Sequence, residues 1–153
     1  MIKLLFICHG NICRSTMAEF VMKDMAAKAG LADKLYIDSA ATSREEIGHD
    51  VDPRTRQKLK ENGVPCGHHK ARQITPEDYE EFDYLIPMDE ENLYGMRRIL
   101  GESKMDTTRL LLSFAGKSRD IADPWYTHNF DETYKDVVMG CEGIIEMIKR
   151  GEL

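Results

Sequence analysis

The sequence predicts an α/β protein: a single doubly wound domain over residues 1–153, with a four-stranded parallel sheet and helices on both faces. Three observations predict it. Short apolar runs alternate with helical stretches along the whole chain, the pattern of a parallel sheet with crossover helices. The first run, Ile2 to Cys8, is apolar at every position after Lys3, as a strand buried on both faces requires. The 153 residues hold no internal repeat, low-complexity tract or linker, and they suffice for one core of ordinary size.

The elements follow in order. After the first strand, residues 14–29 predict a helix: Met17, Val21 and Met25 recur at a spacing of four, Ala18, Ala26 and Ala29 favour the conformation, and Gly30 stops it. KLYIDSA, residues 34–40, predicts the second strand. Asp52 caps and Pro53 opens a helix that ends at Gly63, and Thr75 and Pro76 open a further helical turn in the same way. FDYLIPM (82–88) predicts the third strand, residues 89–98 a helix, and TRLLLSF (108–114) the fourth strand. Over 131–150, Val137, Cys141, Ile144, Ile145 and Ile148 form one helical stripe, and Gly151 follows the last turn.

Composition narrows the function. Hydrophobic residues make up 42% and charged residues 31%, as in a folded globular chain. Twenty-one basic against twenty-seven acidic residues give a net charge of −6, a poor match for nucleic acid or an anionic membrane surface. A few oriented donors can still hold a small anion. Leu4 to Cys8 is too short for the apolar part of a secretory signal, and no stretch is long enough to span a bilayer. The four cysteines are therefore expected to be reduced thiols in a cytoplasmic protein. No pair of CxxC elements suggests a metal, and no cofactor is expected.

The chemistry concentrates in LLFICHGNICRST, residues 4–16. The loop from Cys8 to Arg14 joins a strand end to a helix start, at the sheet edge where such folds bind ligands. That junction offers free backbone N–H groups and the positive end of a helix dipole. Gly10 lets the backbone curl, and Arg14 adds a planar fork of donors suited to a tetrahedral oxyanion. The same field favours the thiolate of Cys8. A thiolate beside a phosphate-shaped hole can attack phosphorus without a metal. The glycine and lysine pattern of a Walker loop is absent. Packing alone is the other reading of Cys8.

These residues resemble the signature of the low-molecular-weight protein tyrosine phosphatases, Cys-x-Gly-Asn-x-Cys-Arg-Ser, here CHGNICRS. DSAATS, HKARQ, MDEENL and DPWY are similar to further segments of that family, in the same order along nearly the whole chain. Thr16 stands where the family usually has proline, His9 where it has an aliphatic residue, and Ala41 where it often has glycine. The resemblance implies a phosphoric monoester hydrolase acting on phosphotyrosine and small aryl phosphates, with Cys8 as nucleophile, Arg14 on the phosphoryl group and Asp123 as general acid and then base. It implies phosphate or substrate contacts from His9, Gly10, Asn11, Ile12, Cys13 and Ser15, and a supporting network that includes Ser39 and His69 with Asn11 and Ser15. It also implies a reversible Cys8–Cys13 disulfide.

Two Asp-Pro pairs compete for the acid's role. Asp52-Pro53 starts a convincing helix and reads as a cap, whereas Asp123-Pro124 lies in a stretch without helical period beside Trp125 and Tyr126, whose rings suit a phenyl phosphate. Asp89 orients Arg14 or caps the helix that follows it. Cys141 belongs to a core stripe, and Cys66 has no assigned role. Ile12 favours a planar phenol over phosphoarginine, since family members acting on the latter tend to carry threonine there. Three alternatives stay open: a phosphoarginine phosphatase, a thiol-dependent arsenate reductase, and a phosphate-binding module without turnover. The expected partners are phosphotyrosine-containing substrate proteins, with the chain itself a monomer or weak homo-oligomer.

Overall fold

A computed structural model describes residues 1–153. Strand β1 (Ile2–Cys8) lies at the centre of a parallel sheet of order β2-β1-β3, between β2 (Leu35–Ala41) and β3 (Tyr84–Pro87). Cys8 pairs with Ala41 and Ile7 with Pro87, so the three strands finish together at one edge. Alternation along β1 divides the core. Leu4, Phe6 and Cys8 join the larger cluster with α1 (Arg14–Lys28) and α6 (Phe130–Lys149); Leu5 and Ile7 join a smaller one with Ile74, Phe82, Leu85 and Met96. Both faces are covered, which explains the unbroken apolar run.

The caps form as expected. Asp52 accepts from the Arg54 N–H at 2.8 Å and Pro53 opens α2 (Pro53–Glu61). Thr75 with Asp78, and Asp89 with Asn92, close capping boxes at the starts of α3 (Pro76–Glu81) and α4 (Glu90–Leu100). In α1 every residue from Arg14 to Met22 is buried, because the helix lies between the sheet, α2 and α6. No helix is long and apolar enough to cross a membrane.

The fourth strand expected over 108–114 does not form, and the sheet has three strands. Thr108 makes a single bridge to Leu85, with backbone bonds from Arg109 N to Leu85 O (3.0 Å) and from Leu85 N to Thr107 O (3.1 Å). The chain then winds into a 3₁₀ helix at Leu111–Ala115. The reason lies on α6. A Cβ on Gly140 would stand 2.5 Å from Leu111 Cγ, and one on Gly143 2.3 Å from the Phe114 carbonyl oxygen. These two glycines admit a tight coil that buries the consecutive Leu111 and Leu112 with Phe114. An extended strand would turn alternate side chains away from that core.

Candidate active site

The loop after β1 places Cys8 Sγ at the sheet edge, with the residue only 3% exposed. The Ser15 hydroxyl lies 3.0 Å from the sulfur, and the Asn11 N–H points to it at 3.3 Å. The left-handed residue of the turn is Asn11 (φ 60°), not Gly10, so the curl expected of the glycine is made by the asparagine. Gly10 serves clearance instead: a Cβ there would meet Glu46 Cγ at 3.3 Å. The backbone N–H groups of Gly10, Ile12, Cys13, Arg14 and Ser15 make no hydrogen bond to another protein group, which leaves a ring of donors at the start of α1.

A buried network holds this turn. Asn11 Nδ2 donates to both Ser15 Oγ and Ser39 Oγ at 2.9 Å, and its Oδ1 accepts from the Arg72 N–H at 3.1 Å. His69 Nε2 donates to the Asn11 carbonyl at 2.7 Å. Ser39 Oγ donates to Glu19 Oε1 at 2.5 Å, and Lys23 balances the other carboxylate oxygen. Glu19 accepts only, so the direction of the chain is set from that end. Ser39 gives its proton to Glu19, both Asn11 amide protons are committed, and the Ser15 hydroxyl is held against the Cys8 sulfur. Sequence reasoning missed Glu19. Within a helix it looks like any surface acid, and only its 5% exposure reveals the role.

Arg14 is 2% exposed. Its Nη1 donates to Asp89 Oδ2 at 2.6 Å and to the Ile121 carbonyl at 2.8 Å, and Nη2 reaches Asp123 Oδ2 at 3.4 Å. Burial works against its charge, but Cys8, Asp89 and Asp123 outweigh that and hold its pKa above the ordinary value. Asp89 fills both roles considered for it, since Oδ1 caps α4 through the Asn92 N–H. Asp123 lies not in an open loop but at the N-cap of a four-residue helix, α5 (Pro124–Thr127), where Oδ1 accepts from the Trp125 N–H at 3.0 Å.

Cys8, His9, Gly10, Ile12, Cys13, Arg14, Asp123, Trp125 and Tyr126 line one cleft of about 310 Å³. Glu45 and Glu46 complete its mouth; no motif had marked them. His9 Nε2 meets Glu45 Oε2 at 2.9 Å. Trp125 is 53% exposed, and the Arg54 guanidinium sits 5.3 Å from its ring and 4.9 Å from that of Phe130. Asp52 grips Arg54 at Nε (3.1 Å) and Nη2 (2.9 Å), so α2 braces the Asp123 segment. Cys13 is a free thiol at the N-cap of α1. Burial first, then Asp52 and Cys8, push its pKa far up, so it is protonated at neutral pH. No three His, Cys, Asp or Glu side chains converge as metal ligands would. The arrangement therefore joins a buried sulfur, a donor ring with one guanidinium, and a carboxyl in the same cleft.

The family model described as low molecular weight phosphotyrosine protein phosphatase matches residues 3–152. The protein-tyrosine-phosphatase YfkJ of Bacillus subtilis is 38% identical over 152 residues, covering 98% of this chain and 97% of that protein. The low molecular weight phosphotyrosine protein phosphatase of Homo sapiens is 37% identical, covering 94% of this chain and 93% of its own. The crystal structure of YfkJ superposes with a TM-score of 0.95 at 37% identity, over 100% of this chain and 98% of that one. With its signature loop folded around Cys8 and its likeness running from end to end, the chain belongs to the low molecular weight phosphotyrosine protein phosphatase family.

Proposed function

We propose that this phosphatase hydrolyses phosphotyrosine in substrate proteins through a phosphocysteine on Cys8. The phosphoryl oxygens take the free N–H groups of the loop and the Arg14 guanidinium, which neutralise charge as the thiolate approaches phosphorus. The sulfur–phosphorus bond forms as the phosphorus–oxygen bond to the phenol breaks. The Asp123 carboxyl delivers its proton to the departing phenol oxygen. The resulting Asp123 carboxylate then takes a proton from water, whose oxygen attacks phosphorus. The sulfur–phosphorus bond breaks, and inorganic phosphate and the thiolate are released. Ile12, Trp125 and Tyr126 supply apolar walls for the phenyl ring.

The observation that carries this reading is the convergence of Cys8, Arg14 and Asp123 on one cleft, with Ser15 and Asn11 aimed at the sulfur. A binding module has no use for the acid. The test is turnover of an aryl phosphate and of a phosphotyrosine peptide by wild type and Cys8→Ser. Loss of the nucleophile should cut kcat by roughly 10⁴-fold or more, and a chelator should leave the wild type unchanged. Turnover that survives Cys8→Ser, or that a chelator abolishes, rules the reading out. Faster turnover of phosphoarginine would reassign the substrate.

A further inference from the structure

A second cavity, of about 770 Å³, opens beside the catalytic cleft. His9 lines both, so the two spaces share a wall. The second cavity runs along α4, with Glu90, Glu91, Tyr94 and Arg98 on one side and Thr42 on the other. Gly95 lets α4 lie close to the chain after β2, because a Cβ there would stand 2.9 Å from Thr42 Cβ. Tyr94 is exposed against this space, 65% accessible, with the Arg98 guanidinium 6.0 Å from its ring. The groove spans residues 90–99 of the helix, about 13 Å at the α-helical rise. That length accommodates three or four extended residues.

Its acidic residues outnumber its basic one. Glu90 and Glu91 project at the first turn of α4, and Glu45 and Glu46 stand at the mouth of the neighbouring cleft. Arg98 is the lysine or arginine lining the second cavity, against two glutamates. Inside the catalytic cleft, Arg14 and the loop amides are matched to the phosphoryl group. The rim that meets the flanking peptide therefore keeps an excess of negative charge.

We infer that this groove is the docking site for the polypeptide on one side of the phosphotyrosine, and that it selects lysine or arginine within three or four residues of it. The inference rests on the phosphatase reading and adds the substrate class to it. Flanking lysines place their ammonium groups near Glu90 and Glu91 and their stems along Tyr94. Acidic flanks meet like charge at the same positions, which lowers encounter rates and specificity for them.

The test compares kcat/KM at low ionic strength for matched phosphotyrosine peptides flanked by lysines or by glutamates, on either side, with a small aryl phosphate as reference. The lysine-flanked peptide should be favoured about fivefold or more on one side, as two exposed ion pairs give. The preference should shrink with added salt. The Glu90→Gln, Glu91→Gln double variant should lose most of it while turning over the aryl phosphate at the wild-type rate. Arg98→Gln should increase it. Equal rates for the two peptides, or a preference that survives the double variant, overturn the groove while the phosphatase reading stands. Failure of the wild type to turn over the aryl phosphate removes the phosphatase reading and this inference with it.

Discussion

Arg14 Nη1 and Asp89 Oδ2 lie 2.6 Å apart, while Oδ1 of the same carboxylate receives the Asn92 N–H and caps α4. One side chain just after β3 thus aims the guanidinium at the start of α1 and starts the next helix. Both oxygens are acceptors, and asparagine supplies only one. If Asp89→Asn keeps the cap, its NH2 faces the buried Arg14 guanidinium, which loses its charged partner. Charge-assisted hydrogen bonds contribute about 1.5–3 kcal/mol. On that scale kcat/KM for an aryl phosphate should fall roughly 10- to 100-fold, and Tm should fall with it. Steady-state kinetics beside thermal unfolding check this: an unchanged kcat/KM would remove Asp89 from the positioning of Arg14.

Asp123 lines the cleft with Cys8 and lends Oδ1 to the start of α5. Asp123→Asn keeps that cap and removes the proton donor. Proton delivery by a side chain contributes about 10²- to 10⁴-fold. The loss should approach that range for phenyl phosphate, whose leaving oxygen needs the proton, and be much smaller for a dinitrophenyl phosphate, whose leaving group does not. Equal losses on both substrates would remove the acid's role from Asp123.

The sheet edge, the loop and most helices were legible in the sequence because each is specified locally. A buried central strand needs only its apolar run, α2 only Asp52 and Pro53, and the loop its contiguous CHGNICRS between a strand and a helix. What escaped depends on contacts distant along the chain. A short apolar run such as TRLLLSF fits a strand or a coil equally, and the choice is made by Gly140 and Gly143, some thirty residues away. Glu19 gains its role only when Ser39 arrives beside it from β2. Glu45 and Glu46 reach the cleft through a segment with no periodicity to read.

The glycine pair on α6 makes the misread segment testable. A methyl group at Gly143 would collide with the Phe114 carbonyl at 2.3 Å, and backbone cannot yield as a side chain can. Gly143→Ala should therefore destabilise by about 3 kcal/mol, as overpacking of a core does, although alanine is the better helix former. Denaturant titration measures this directly. A neutral or stabilising effect would mean that the 3₁₀ helix does not seat on α6.

Asp52 gives a pH signature. Burial alone would raise its pKa, but the Arg54 side-chain hydrogen bonds, the Arg54 N–H and the guanidinium charge together hold it below its ordinary value of 3.8. A carboxyl depressed in the folded state stabilises above its unfolded pKa and loses that contribution as pH falls through the folded value. The contribution is thus complete above about pH 5 and is lost progressively below 3.8. Arg54 is 42% exposed, so solvent screens the pair and its contribution is about 1 kcal/mol. Asp52→Asn retains the cap and should cost that amount at pH 7 and less at a pH well below 3.8. Freed from Asp52, Arg54 should also hold the Trp125 ring less firmly, raising KM for aryl phosphates more than it lowers kcat. Urea titrations of both proteins at the two pH values decide the point: an equal deficit at each would place the effect in packing, not in the charge of Asp52.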